Sequence, residues 1–512
     1  MVVATVDPVV RSFSIVLTEK TTARLGDRDP DSGELTAAAM DRALQALRHC
    51  RDVADSHGIG TVVAVATSAT REAPNGRDFL RRVQQQTGID VGLVDGAEEA
   101  RLIYLGVLSA MDFAGHPHLI IDIGGGSSEL VLADSQDARA LSSVRIGAVR
   151  LYRDFVRADP IPPARVAFLR AFIQGMLEPT VEKTLRRVST TDLPLRLVGT
   201  SGTVMSVAAL IAARRGTKPA RMNGFHFSLG ELKDLMDELL AMDPRQRRSL
   251  EGLSERRAEI IVPGGLILQT AMELLGLEQL TVCERALREG LVVDWMLRNG
   301  IITDRFSYQS SVRRRTVLHQ ARKYRVDAER AERVAGHALT LFDATRGQLH
   351  DFGDTARELL WGAALLHTCG RHISASAYHK HSWYLIRHSS LLGYCEEEHL
   401  TLAALARYHR SSLPKKRHSS WQSLHLSSQR LAVERLSPLL RLAVALDRRP
   451  QPVIAGLMVA ATQSSLSLEL QPRQPDQDLS LEVWSLKEVF PTVEQALGIC
   501  VELRLAKAVE AR

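Results

Sequence analysis

Ile120-Ile121-Asp122-Ile123-Gly124-Gly125-Gly126-Ser127-Ser128-Glu129-Leu130 is the stretch on which the reading of the chain rests. Leu119 to Ile121 are enough for a buried strand, and Leu130-Val131-Leu132 resume that character after the glycines, so the spacing predicts a hairpin. Its tip is suited to contact. Glycine backbone can come within hydrogen-bonding distance of an oxyanion because no Cβ blocks the approach, and consecutive N–H groups can line a phosphate nest. Asp122, at the end of the first strand, cannot hold a phosphate directly, but it can hold a hydrated Mg²⁺ or orient a water. Glu129 is a second carboxylate on the far side. A plain glycine-rich turn explains less, since three glycines are more than a turn needs. No Gly-Lys-Ser/Thr follows, which excludes a Walker loop. A strand rather than a helix comes next, which excludes a Rossmann loop.

The chain of 512 residues is too long for one core, so two to four domains are expected. Its 45% hydrophobic and 24% charged residues are ordinary for a water-soluble globular protein. A formal charge of +6 and a pI near 9.1 suit a polyanionic partner without demanding one. The five cysteines (Cys50, Cys283, Cys369, Cys395, Cys500) are scattered, with no CxxC pair, which fits a reducing cytoplasm and no disulfide framework. No apolar run of membrane-spanning length occurs, and no signal peptide is read at the start.

Outward from the hairpin, Met1–Asp7 and Ser12–Leu17 read as strands, Glu34–His57 as a helix, and Thr61–Thr67 as a strand. Arg71 follows that strand, where α/β sheets present ligand residues. It could fork onto phosphate oxygens, or serve as a surface ion-pair partner. Val91–Val94 is a short strand, and Asp95-Gly96-Ala97-Glu98-Glu99 opens a helix to about Met111. Acids in a first turn are usually capping and dipole residues, so Glu99 stands out only in context. A third strand is expected over Ala140–Val149, helix over Pro163–Val188, and strand over Leu195–Val198. Gly199-Thr200-Ser201-Gly202-Thr203 then feeds a helix N-terminus, a setting that favours anions. Alone it is a tight strand–helix junction; beside the glycine hairpin, Thr200, Ser201 and Gly202 read as the other wall of a phosphate cleft. From about 306 strands vanish and helical periodicity runs to about Asp447, rich in arginine and histidine. His379, Lys380 and His381 there are candidate polyanion contacts. The portion from Pro452 alternates as strands.

These residues resemble the exopolyphosphatase/guanosine pentaphosphate phosphatase (Ppx/GppA) family. The resemblance rests on Ala66-Thr67-Ser68-Ala69-Thr70-Arg71-Glu72-Ala73-Pro74-Asn75, Gly96-Ala97-Glu98-Glu99-Ala100-Arg101, the Asp122–Leu130 stretch, Gly199–Thr203, Arg257-Ala258-Glu259-Ile260-Ile261-Val262-Pro263-Gly264 and Leu287-Arg288-Glu289-Gly290. It implies an α/β protein of two actin-like ATPase (ribonuclease H-like) domains, 1–115 and 116–303, with an interdomain cleft. A helical HD-like domain over 306–448 and a small α+β domain over 449–512 would follow. It implies hydrolysis of a terminal phosphoanhydride of inorganic polyphosphate or pppGpp with Mg²⁺, and a homodimer. No membrane and no specific nucleic acid enter this reading. Carried over by position, Glu99 is the base that activates water. Asp122 binds metal or water and Glu129 supports that site. Arg71, Gly124, Gly125 and Ser127 cradle phosphate. The chemistry agrees, since phosphoryl transfer needs positioning and charge neutralisation more than covalent catalysis.

Two departures accompany the resemblance. The family carries an Asp-x-Gly-Ser/Thr-Asn-Ser loop between its first two strands, and Met1-Val2-Val3-Ala4 matches the strand after that loop. The expectation is therefore weak or no turnover from this sequence, with a non-catalytic polyphosphate- or nucleotide-binding regulator as the alternative reading. In the helical part, the HD metal positions are taken by Arg330, His367-Thr368 and Asp447, so no metal is expected there. A sugar or acetate kinase is disfavoured by Gly96-x-x-Glu99-Ala100-Arg101.

Overall fold

The strands around the glycines form as His118–Ile123 and Ser128–Ala133, antiparallel, in a computed structural model that describes residues 1–505 apart from 27, 30, 189–192, 304–307 and 309–310. Their register sets Asp122 opposite Glu129. Cross-strand partners point to one face about 5 Å apart, an arrangement in which like charges oppose each other. Leu119, Ile121, Ile123 and Leu130 take the other face and join a core with Val204, Val207 and Leu266. The pleat thus buries the aliphatics on one side and gathers carboxylates on the other.

The hairpin lies within a six-stranded sheet ordered Ala138–Val144, Ser128–Ala133, His118–Ile123, Arg196–Thr200, Gln279–Val282, His226–Ser228. Arg196–Thr200 runs parallel to His118–Ile123 and brings Thr200 beside Asp122. The carboxylate face of the hairpin is covered by the helix Gly96–Leu108, which packs on Ser128–Ala133, Ala138–Val144 and the helix Leu287–Arg298. Those two helices cross at backbone contact. A Cβ on Gly290 would overlap the carbonyl of Leu102 and lie 3.1 Å from Gly106 N. Earlier in the chain, Val2–Asp7 pairs antiparallel with Ser12–Thr18, and Ala64–Ala66 pairs parallel with Val91–Leu93. Helices Ala37–Ser56 and Gly76–Thr87 pack over a small core of Leu35, Leu44, Phe79 and Val83.

Two expected elements are shorter than the sequence suggested. The strand expected over Ala140–Val149 stops at Val144, and Ala148–Phe155 is a helix. Ala148 N and Arg150 N donate to the carbonyls of Gly124 and Gly125, at 3.0 and 2.9 Å, so the glycine hairpin draws this backbone out of the sheet. The strand expected over Thr61–Thr67 is only Ala64–Ala66.

The chain divides into two compact units, Met1–Val312 and Arg313–Arg512. The boundary expected at 306 falls outside the described residues. The second unit is helical from Ala328–Thr345 to Ser427–Leu446, around Phe342, Leu360, Leu405 and Leu440. It ends in a three-stranded sheet, Ile454–Ala461, Ser465–Pro472 and Cys500–Leu505, with the helix Ser480–Leu497. Leu466, Leu468, Leu470 and Leu486 join the same core as the helices. Among the described residues, no helix is long and apolar enough to cross a membrane.

Candidate active site

Glu99 sits in the first turn of Gly96–Leu108, whose start is fixed by the Asp95 side chain accepting from Glu98 N at 2.8 Å. Asp95 therefore does the capping, and Glu99 is released to face the sheet with 7% of its surface exposed. Gly96 has no side chain because a Cβ would meet Ser143 Oγ at 2.9 Å, which lets the helix end settle onto the sheet. Arg71 Nη1 donates to Val94 O at 2.8 Å and to Glu99 Oε2 at 3.1 Å. Among the described residues, the rest of the Arg71 fork has no protein partner.

Three buried carboxyls face one another. Burial, followed by the charge of Glu99, pushes Asp122 up to about 7, against the pull of Ser201 and Arg257. Burial and the charges of Glu99 and Asp122 also push Glu129 up, while Ser127 and Ser143 hold it down. Ser143 Oγ donates to Glu129 Oε1 at 2.8 Å. Glu99 is raised by burial and lowered by Arg71 and Thr67. Three such groups cannot all stay ionised at neutral pH without a cation between them.

The glycine loop supplies donors. Among the described residues, the N–H groups of Gly125, Gly126 and Ser127 make no hydrogen bond, whereas Gly124 N is used by Ser127 O at 2.9 Å. Gly125 is exposed at the tip and Gly126 lies against Ser68, whose Oγ would be 2.7 Å from an added Cβ. Ser127 is buried and turned toward Glu129. Opposite, Ser201–Arg214 begins with no side-chain cap, so its first-turn N–H groups lack intrahelical partners. Ser201 has φ +77, a conformation costly outside glycine, and is held there by its hydroxyl, which donates to Ile123 O at 2.9 Å and accepts from Ile123 N at 3.2 Å. Thr200 donates to Arg285 O at 2.9 Å and is fully buried, so its hydroxyl supports the loop from behind.

The structure thus brings Arg71, Glu99, Asp122, Gly124, Gly125, Ser127, Glu129, Thr200, Ser201 and Gly202 to one region of the first unit. His379, Lys380 and His381 belong to the second. Sequence reasoning missed several neighbours. Arg257 lies on Gly202 and acts on Asp122. Arg150 Nε donates to Gly126 O at 2.8 Å and its Nη2 to Glu72 Oε2 at 2.6 Å, while Arg28 Nη2 donates to Ala69 O at 2.8 Å. These ties join the segment Thr67–Glu72 to the glycine loop. The available signal was the side-chain vacancy at Gly202, which only a large neighbour would fill. Among the described residues, no three His, Cys, Asp or Glu side chains are grouped so as to hold a metal by themselves. Asp122 and Glu129 still suit Mg²⁺, which commonly takes one or two carboxylates and draws its remaining ligands from water and substrate phosphate.

In the second unit Arg330 meets Asp447. Arg330 Nη2 donates to Asp447 O at 2.7 Å, its Nε lies 3.3 Å from Asp447 Oδ2, and Arg333 Nε donates to Asp447 Oδ1 at 2.8 Å. Arg330, His367 and Thr368 line one cavity of about 320 Å³.

Unpaired backbone donors gathered with clustered carboxyls and arginines in one α/β unit suit phosphohydrolase chemistry, which needs positioning and charge neutralisation. The chain belongs to the Ppx/GppA phosphatase family, whose model matches residues 2–299, and the family's domain III matches residues 312–488. It is 34% identical over 275 residues to exopolyphosphatase 1 of Mycobacterium tuberculosis, covering 54% of this chain and 78% of that one. It is 29% identical over 474 residues to the guanosine-5'-triphosphate,3'-diphosphate pyrophosphatase of Vibrio parahaemolyticus, covering 92% and 89%. Among solved structures it is similar to an exopolyphosphatase from Cytophaga hutchinsonii, with TM-score 0.53 and 27% identity over 59% of this chain and 95% of that one. It is also similar to the Aquifex aeolicus Ppx/GppA family member, with TM-score 0.50 and 26% identity over 58% and 94%. These neighbours have the actin-like ATPase fold.

Proposed function

We propose that this chain hydrolyses the terminal phosphoanhydride of inorganic polyphosphate or of pppGpp and releases orthophosphate. The observation that carries the reading is the meeting of Glu99 with the carboxylate face of a hairpin whose tip offers three unused N–H groups. The terminal phosphoryl group rests on the N–H groups of Gly125, Gly126 and Ser127 and faces the uncapped Ser201 helix. The free part of the Arg71 fork and Arg257 balance its charge. Glu99, whose carboxyl burial raises against the pull of Arg71 and Thr67, takes a proton from a water aimed at the terminal phosphorus. The water oxygen bonds to phosphorus as the anhydride P–O bond breaks, and the leaving chain departs with that oxygen. Asp122 and Glu129 would hold Mg²⁺, which when bound neutralises charge shared by the carboxyls and phosphate oxygens.

We read the helical unit as a degenerate HD-like domain in which Arg330 stands where a metal-ligating histidine would, its guanidinium neutralising Asp447. The test is phosphate release from polyphosphate, pppGpp and ATP with Mg²⁺, by the wild type and Glu99→Gln. Release from polyphosphate or pppGpp, falling roughly 10²–10⁴-fold in the variant, is expected. No release from either substrate, or an unchanged rate in Glu99→Gln, overturns the proposal.

A further inference from the structure

The glycine tip is oriented from behind. Gly125, Gly126 and Ser127 carry the three N–H groups that make no hydrogen bond among the described residues. A trans peptide unit is planar, so its carbonyl points away from its N–H. The carbonyls sharing planes with these three N–H groups are those of Gly124, Gly125 and Gly126. One short stretch at the start of the helix Ala148–Phe155 holds all three. Ala148 N donates to Gly124 O at 3.0 Å, Arg150 N to Gly125 O at 2.9 Å, and Arg150 Nε to Gly126 O at 2.8 Å. The stretch comes this close because Gly147 precedes it, where a Cβ would overlap Gly125 O and lie 2.6 Å from Gly126 N.

Two of these anchors are main-chain N–H groups, which any residue but proline supplies. The third is a side chain, and it holds the plane that carries the Ser127 N–H. Glycine backbone turns readily, since no Cβ resists the rotation. Released from its anchor, the Gly126–Ser127 plane can flip and present a carbonyl to an oxyanion where the N–H belongs. The guanidinium is itself fixed. Its Nη2 donates to Glu72 Oε2 at 2.6 Å, and the two side chains are 22% and 10% exposed. Glu72 directly follows Arg71, and Arg28 Nη2 holds the same segment through the carbonyls of Ser68 and Ala69, at 3.2 and 2.8 Å. One arginine thus sets the tilt of the last peptide of the tip and its register against the segment that bears Arg71.

We propose that Arg150 is a positioning residue for phosphoryl binding: it aims the Ser127 N–H into the seat, and Glu72 holds its guanidinium in place. The inference rests on the reading of Gly125–Ser127 as that seat. Arg150 meets the loop on its carbonyl edge, opposite the N–H groups, so it acts through the backbone and not on the phosphate. Lysine is no substitute here. Its ammonium is a point charge on a flexible stem, whereas the rigid guanidinium fork serves Gly126 O and Glu72 together.

Hydrogen exchange of the full chain with Mg²⁺, titrated with orthophosphate, reads the seat without turnover. In the wild type, exchange at 123–128 is expected to slow. In Arg150→Met the concentration for half-protection rises roughly 10-fold, as when the competent orientation falls to about a tenth of the molecules. Arg150→Lys keeps the charge, loses the fork and is expected to match Arg150→Met. Glu72→Gln shifts half-protection in the same direction and, added to Arg150→Met, shifts it no further. A general loss of stability lowers the melting temperature but leaves the half-protection concentration of the folded molecules unchanged, so the readout separates positioning from packing. Wild-type half-protection in Arg150→Met or Arg150→Lys, or shifts that multiply in the double variant, overturns the inference alone, since the hydrolytic reading is judged by phosphate release. No protection in the wild type overturns the inference together with the seat.

Discussion

Gly202 carries a prediction that separates space from chemistry. A Cβ built there would overlap Cζ and Nη2 of Arg257, with Nη1 only 2.7 Å away. Gly202→Ala must therefore push the guanidinium aside. Overpacking that moves backbone costs about 1–3 kcal/mol, but here the obstacle is the end of a long side chain, and alanine is better than glycine in a helix by about 1 kcal/mol. The melting temperature should hardly change. Activity should change, because Arg257 is a cation acting on Asp122 beside the phosphate loop. Loss of one fixed donor to a developing oxyanion costs about 10²–10³ in rate, so kcat/KM for phosphate release should fall about 100-fold, or about 2.7 kcal/mol. Arg257→Ala should lose a similar amount, and the double variant should be no slower than Arg257→Ala alone, since the displaced group is already gone. Wild-type turnover by Gly202→Ala, or losses that multiply in the double variant, would refute the reasoning.

Gly290→Ala should act on stability instead, because its Cβ overlaps the backbone of Leu102 at the helix crossing. A loss of about 1–3 kcal/mol is expected in denaturant titration, and an unchanged midpoint would contradict the packing. Acid should weaken the second unit. Burial lowers His367 to about 4 and His409 well below its ordinary value. Above pH 6.5 neither state binds the proton and stability is full. As pH falls from 6.5 toward 4 the unfolded chain protonates first, so stability is lost, by about 2 kcal/mol at pH 5 from His367 alone. Urea midpoints at pH 7.5 and 5 for His367→Asn should differ less than those of the wild type. Chelation with EDTA should stop phosphate release and Mg²⁺ restore it, with Asp122→Asn needing higher Mg²⁺; EDTA-resistant release would remove the metal from the proposal.

The hairpin was legible because it depends on local pattern, aliphatics around glycines, whereas Glu99 was singled out only by the family resemblance, since nothing local shows that Asp95 does the capping and spares the next acids. Arg71 was legible only as the residue after a strand, and its partner Glu99 lies 28 positions on. The sheet order was not legible, since the parallel partnership of Arg196–Thr200 with His118–Ile123 joins segments with two strands and two helices between them. The strand end at Val144 was missed because Ala148 and Arg150 answer to Gly124 and Gly125 carbonyls rather than to their own β propensity. Arg257 was visible only as the first residue of a family motif, and nothing local tells that its side chain turns inward. His379, grouped in the sequence with Lys380 and His381 as a candidate polyanion contact, is buried while Lys380 is exposed, because helical spacing points adjacent residues in different directions.

The crossing of Gly106 and Gly290 decides which parts travel together if the first unit flexes. Gly96–Leu108 is riveted at backbone distance to Leu287–Arg298 and lies on the hairpin's own sheet, whereas Arg71 belongs to the segment that packs with Ala64–Ala66 and Gly76–Thr87. Any bending between these layers would carry Glu99 along with the glycine tip, and Arg71 could part from them only if the Arg150 ties to Glu72 and Gly126 O gave way. The distance from base to phosphate seat is thereby insulated from such motion.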